Sequence, residues 1–332
     1  MGRSVRSTVG DRVLLLSEVA RLYYVEDLTQ AAIARRMGVS RSNVSRMLKE
    51  ARKRGLVEIR VRSPFRMVDK LQNALKESLN LQDCLVLAHM EYDGGENEPS
   101  GYEYGIGALA AQYLQDNLAE GGTIGVGWSN AVYRVVTSKR WRPRKDVTVV
   151  QLMGSIGGTI PELNGVHIAA QLASALGAKV HYLHAPMVVA DTGVRNGLLR
   201  DQHISRTLEM ARRADIMVVG IGAINRDSGQ YRAGYLNDAD LEYIRGNGVV
   251  GDVCGAYFSL GGEVLHLEMN DRTVALDPES VKGIPIRVGV SWGEKKVVPN
   301  IGAARAGLIN VLITDEETAS GMLRFLEREE RV

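Results

Sequence analysis

The chain of 332 residues has only two cysteines, Cys84 and Cys254. Two thiols so far apart in sequence are too few for a disulfide framework or a four-ligand zinc site, and are expected to be structural thiols in a reducing compartment. Long hydrophobic runs are also missing. The longest, Ile216 to Ile224, falls far short of the roughly 18 residues that a membrane span requires, and the opening MGRSVRSTVGDR has no apolar signal core. A soluble, cytoplasmic protein with no membrane partner is therefore expected. Neither GxGxxG nor GxxxxGK[ST] occurs, which leaves a dinucleotide cofactor or a nucleotide triphosphatase without support, and no cofactor is expected. His181 and His184 would face opposite sides of a strand with no cysteine or carboxylate cluster beside them, so no metal site is expected either.

What is present is an ordinary globular composition, 45% hydrophobic and 24% charged, with room for two domains. The overall charge of +2 conceals a polarity along the chain. Residues 1–66 carry 15 Lys/Arg and 6 Asp/Glu, net +9, which leaves 26 and 33, net −7, for residues 67–332. A small basic module fused to a larger acidic one suggests that the first meets a polyanion, with nucleic acid the first suspect and an unpartnered basic face the plain alternative.

In the basic module, Val13, Leu16, Val19, Ala20, Tyr23 and Tyr24 fall on one helical stripe. Thr29 caps a second predicted helix that ends at Met37–Gly38, and Ser40 caps a third; Thr29, Gln30 and Ser40 are also expected to contact DNA. In the third helix Val44, Met47 and Leu48 take the buried face, leaving Arg41, Ser42, Asn43, Ser45 and Arg46 outward. This is the grammar of a helix-turn-helix. Arginine pairs bidentately with guanine, asparagine with adenine, and serine with phosphate or base edges. Lys53, between two arginines at the helix end, suits the phosphate backbone. Leu56 to Arg62, LVEIRVR, alternates as a strand, so a winged helix is predicted, with a basic three-helix docking module as the alternative.

Residues 67–80 read as a linker helix with apolar residues at Val68, Leu71, Leu75 and Leu79, able to pack on its own domain or on a partner chain. Leu81–Ala88 reads as strand, and Glu91–Gly105 as a loop before a helix over Ile106–Leu118. Strands at Thr123–Val126, Val147–Met153, Val180–Leu183 and Ile216–Ile221 then alternate with helices at Ser129–Thr137, Val166–Leu176 and Gln202–Arg213; Ile286–Val290 and Val311–Thr314 look like further strands. Such alternation predicts a Rossmann-like open α/β sheet with parallel strands. Ligands of these sheets sit beyond the carboxyl ends of the strands. Three glycine-bearing loops follow strands there: Gly125 to Asn130, Gly154 to Gly158, and Gly220 to Gly222. Backbone amides at Gly127, Ser129 and Asn130 suit an anion at a helix start, although glycine at a strand end also serves as a plain tight turn. Asp252 suits sugar hydroxyls and Lys296 a phosphate, against the reading of both as exposed loop charges.

The stretches VARLYYVEDLTQAAIARRMGVSRSNVSRMLKEARKRGLVEIRV, ADIMVVGIGAI, VGDVCGAYF and GLINVLITDEETA resemble the SorC family of sugar-responsive bacterial transcriptional regulators over nearly the whole chain. The resemblance implies a winged helix that binds operator double-stranded DNA, and an effector domain similar to sugar-phosphate isomerases and deaminases that binds a phosphorylated sugar in a homotetramer. Carried over by position, it puts effector contacts on Gly127, Ser129, Asn130, Met153, Gly154, Ser155, Asn164, Asp252 and Lys296. Where relatives usually have a Gly-x-Thr step this chain has Ser129-Asn130-Ala131, which brings a bulkier or less phosphorylated ligand, such as a sugar alcohol or its phosphate, into view. The rivals are a sugar-phosphate isomerase or deaminase with an added basic domain, and a protein-docking module. The first lacks a base, since nothing in the spacing of Asp252, Glu263 and His266 forces them together.

Overall fold

A computed structural model describes residues 9–57, 66–88, 101–156 and 164–329. The chain divides into two compact units, Met1–Pro64 and Phe65–Val332.

The first unit holds α1 (Val9–Tyr24), α2 (Gln30–Met37) and α3 (Arg41–Lys53). Thr29 Oγ1 accepts from the Ala32 amide and Ser40 Oγ from the Asn43 amide, so both predicted caps are in place. Gly38 ends α2 in the left-handed region at φ 62°, a conformation that glycine adopts without a Cβ clash. Leu16, Val19, Ala20, Ile33, Val44, Met47, Leu48 and Ala51 close a core of their own. Leu22, outside the predicted stripe of α1, is fully buried there, while Val13 at the same stripe's start is only half-buried. The predicted wing over Leu56–Arg62 lies, beyond Val57, outside the described residues.

The second unit opens with α4 (Asp69–Ser78), β1 (Asp83–Leu87), α5 (Gly101–Asn117), β2 (Thr123–Val126), α6 (Asn130–Val136), β3 (Thr148–Gln151), α7 (Gly165–Leu176) and β4 (Lys179–His181). Next come α8 (Thr192–Arg200), α9 (Gln202–Arg212), β5 (Ile216–Gly220), β6 (Gly222–Ala223), α10 (Gly229–Arg232), α11 (Asp238–Gly246), β7 (Val249–Val253), β8 (Ala256–Ser259) and β9 (Val264–Leu265). It closes with α12 (Pro278–Gly283), β10 (Ile286–Val290), α13 (Val297–Arg305), β11 (Val311–Asp315) and α14 (Glu316–Glu329). The helix α5 begins at Gly101, inside the segment predicted as a loop, whose first part is outside the described residues.

Seven strands form one parallel sheet in the order β1-β11-β10-β5-β2-β3-β4. From β2 the chain builds outward through β3 and β4, then returns to lay β5 on the other side of β2 and continues to β10 and β11. The direction of winding therefore reverses between β2 and β5, which opens a crevice at their carboxyl ends. A second sheet, β6-β7-β8-β9, is antiparallel and hangs from the end of β5. Its strands of two to five residues are too short to show a period in the sequence. The linker helix packs on its own unit: Leu75 and Leu79 are buried in the main core, and α4 lies along β1 and α14.

Candidate functional site

On α3 the outward residues Arg41, Ser42 and Arg46 are exposed, Asn43 and Ser45 half-buried, and Lys53 exposed at the carboxyl end; Gln30 is half-buried at the start of α2. Acidic residues of the unit tie up several of the basic ones. Arg12 and Arg54 both reach Glu50, Arg21 is shared by Glu18 and Glu26, and Arg36 meets Glu26. Arg52 lies over the Tyr24 ring and donates to its hydroxyl at 2.9 Å. Arg35, Arg41, Arg46, Lys49 and Lys53 make no ion pair among the described residues, and all but Arg35 of α2 lie on the helix predicted to enter a groove. The hydroxyls of Thr29 and Ser40 are occupied with capping, and Ser40 Oγ also lies 3.0 Å from Ser42 Oγ.

In the second unit a cavity of about 700 Å³ opens at the carboxyl ends of β2, β5 and β10, inside the size range of about 300–1,000 Å³ typical of small-molecule sites. It brings together Gly127, Ser129, Asn130, Met153 and Lys296 from the segments that follow β2, β3 and β10, and Asp252, which lies not in a loop as expected but in the strand β7. Glycines let the walls close in. A Cβ on Gly220 would run into Ser129, and one on Gly222 into the Asp252 carboxylate. Ser129 Oγ accepts from the Val132 amide at 3.0 Å and so starts α6. The Gly127 amide, expected to be bare, donates instead to the Val218 carbonyl at 3.0 Å, because it continues the pairing of β2 with β5.

Asp252 and Lys296 form the electrostatic centre. The Gly255 amide donates to Asp252 Oδ2 at 3.2 Å, and Gln230 Nε2 lies 3.5 Å from the same oxygen. Lys296 Nζ donates to the Ile221 carbonyl at 2.6 Å. Burial raises the Asp252 pKa against the opposing pull of the Gly255 amide and of Lys296. Burial likewise lowers the Lys296 pKa, opposed by Asp252 and Asp227. A carboxylate and an ammonium held off bulk water in an open cavity are suited to accepting from hydroxyls and to meeting an anion. The opposite wall is apolar: Met153 Sδ and Cys254 Sγ converge on Gly127. Burial lifts the Cys254 thiol to about 12, as it does that of Cys84, so both are the inert structural thiols expected of them.

Gly154, Ser155 and Asn164, expected at the site, do not line the cavity. A Cβ on Gly154 would meet the Pro186 carbonyl at 2.5 Å, and its own carbonyl accepts from the Trp128 indole. Ser155 Oγ is 2.9 Å from Nε2 of the buried Gln151, and Asn164 Oδ1 caps α7 through the His167 amide. All three are spent on the fold. Conversely, Gln230, Trp292 and the ion pair of Asp227 with Lys295 at 2.6 Å line the cavity without having been singled out. Gln230 stands on a four-residue helix with no period to read, whereas the pair of lysines in SWGEKK was a signal for Lys295. Glu263 and His266 are absent from the wall; His266 pairs with Asp271 at 2.9 Å. No group of three or more metal-ligating side chains occurs among the described residues, and none of the described helices is long and apolar enough to cross a membrane.

Comparison with known proteins agrees with this architecture. A sugar-binding domain family matches residues 63–324, and the MarR family matches residues 19–64. The chain is 29% identical to the deoxyribonucleoside regulator of Bacillus subtilis (strain 168), over 93% of its own length and 97% of that protein's. It is 31% identical to the transcriptional regulator LsrR of Enterobacter sp. (strain 638), over 93% and 92%. The crystal structure of the full-length sorbitol operon regulator SorC from Klebsiella pneumoniae superposes with a TM-score of 0.71 at 26% identity, covering 94% of this chain and 99% of that one. These relatives are named regulators, not enzymes. The chain belongs to the SorC family of transcriptional regulators, with a helix-turn-helix unit followed by a sugar-binding domain.

Proposed function

We propose that the protein is a cytoplasmic, homotetrameric transcription factor whose affinity for operator DNA is set by a small carbohydrate, a phosphorylated sugar or sugar alcohol, held in the cavity between β2, β5 and β10. The observation that carries this reading is the juxtaposition of Asp252 and Lys296 in one cavity at the winding reversal of the sheet. In this reading Lys296 exchanges its bond to the Ile221 carbonyl for the anionic end of the ligand. Asp252 and Gln230 take the hydroxyls, Ser129 and Asn130 add polar contacts, and Met153 and Cys254 meet the carbon face. Relatives named for sorbitol and for deoxyribonucleosides support a carbohydrate class without fixing the member. Arg41, Ser42, Asn43, Ser45 and Arg46 then face the major groove.

A ligand that binds only the folded state raises the melting temperature, by several degrees for one present at about 100 times its Kd. The test is thermal unfolding of the full chain against sugars, sugar alcohols and their phosphates. A hit lost in Lys296→Ala is the expected result. A blank panel, or a hit indifferent to Lys296→Ala, overturns the assignment of the cavity.

A further inference from the structure

The loop that carries Lys296 into the cavity is held from outside the cavity by a buried carboxylate. Asp315, the last residue of β11, is 2% exposed. Its Oδ2 accepts from the Gly293 amide at 2.8 Å and from the Thr318 hydroxyl at 2.8 Å, and its Oδ1 accepts from the Thr318 amide at 2.6 Å, capping α14. It makes no ion pair among the described residues, so its charge is met by neutral donors alone. A serine or asparagine would cap α14 without the cost of burying a charge. The carboxylate, with two oxygens that accept in different directions, serves both the helix and the cavity loop at once.

Gly293 sits at φ 92°, ψ 153°, a backbone region open to glycine and essentially closed to other residues, and its amide is fixed by the Asp315 carboxylate. A second anchor lies just past Lys296. Gly321 of α14 presses on Val297 so closely that a Cβ there would come within 2.7 Å of the valine methyl. The segment from Gly293 to Val297 is therefore held at one end by Asp315, the residue that caps α14, and at the other by α14 itself, with Lys296 between. On its other side α14 lies along α4, the first helix after the DNA-binding unit in sequence, and Leu75 of α4 shares the core with Met322 and Leu326 of α14.

We propose that Asp315 is the positioning residue of the cavity: it holds the Gly293–Lys296 segment and, through α14, couples the state of Lys296 to α4. This rests on the reading of the cavity as the effector site, and supplies the route by which that site reaches the linker. A movement of the Lys296 backbone away from Ile221 shifts a segment tied to Asp315 at Gly293 and to α14 at Val297. A tightly packed helix pair transmits such a shift as a unit.

The test is hydrogen–deuterium exchange of the full-length protein in a double-mutant cycle, with Lys296→Gln as the cavity-side perturbation and no ligand or DNA present. Lys296→Gln is expected to change exchange in residues 69–78 by roughly threefold or more in the wild-type background. In Asp315→Asn that distant response is lost while the change in residues 291–297 persists, which a role in stability alone would not produce. Should Asp315→Asn fail to fold, Thr318→Val, which removes the hydroxyl bond to Oδ2 but leaves the Gly293 bond, the amide bond to Oδ1 and the charge in place, is expected to weaken the response in the same direction. A Lys296→Gln effect that never reaches residues 69–78, or one that adds independently of Asp315, overturns the proposal. Because no sugar enters the experiment, a blank ligand panel beside a coupled cycle counts against the proposed function and not against this route.

Discussion

The opposed pKa shifts of Asp252 and Lys296 make a residue-level prediction whose sign follows from linkage. The Asp252 pKa is raised in the folded protein, so between the ordinary carboxylate value and the raised one the folded state binds more protons than the unfolded state. Stability contributed by this group is present at low pH and is lost as pH rises through the raised value. The melting temperature of the wild type is thus expected to gain on that of Asp252→Asn as pH falls from neutral to about 4. Melting curves of both proteins across that range check it, and a constant difference would show that Asp252 is not held in a protonation-sensitive environment. Asp252 and Lys296 were legible as candidates from their charge after apolar runs, although Asp252, read as a loop residue, lies in β7. Gly154, Ser155 and Asn164 were equally plausible by position, but lie off the cavity wall with polar atoms taken by Trp128, Gln151 and the first turn of α7. A sequence does not reveal which hydrogen-bonding groups other side chains will take.

At the scale of elements, the helix-turn-helix was readable because its signals are local: a cap at Thr29, a left-handed glycine at Gly38, a cap at Ser40 and a helical period in α3. The same locality permits a split prediction. Arg41→Ala and Asn43→Ala remove groups suited to base edges, and each is expected to cost about 1–3 kcal/mol on the cognate operator while relaxing discrimination against mismatched sites. Lys53→Ala removes a charge suited to the phosphate backbone, and is expected to weaken all sequences alike. Fluorescence anisotropy with an operator and with single-base variants of it separates the two classes; equal behaviour would move α3 out of the groove. The antiparallel sheet β6-β9 was not readable, since hairpins this short are recognised by their pairing. Cys254 and Gly255 both take positive φ at the β7–β8 turn, a turn that sequence alone would sooner assign to asparagine and glycine.

For the whole molecule, the polarity of charge predicts that operator affinity falls steeply with salt, with log Kd linear in log salt and a slope of about 0.9 per phosphate neutralised. Titration over a range of salt concentrations measures it, and an affinity indifferent to salt would remove the basic unit from DNA recognition. Sedimentation of the full chain is expected to give a mass near four times 36.3 kDa, whereas a monomer would remove the tetramer from the proposed function.

The sequence by itself determined the basic helix-turn-helix and the parallel strands, because caps, glycine stops and runs of buried β-branched residues act over a few neighbours, while the class of protein was carried by the family resemblance. Only the tertiary structure decided which loops share a cavity and which side chains remain available in it. It also decided that Asp315 reaches Gly293, 22 positions away in sequence. These outcomes depend on the order β1-β11-β10-β5-β2-β3-β4, in which chain distance and spatial distance part company. Neighbourhood across a sheet is set by the winding of the whole chain, and no local period encodes it.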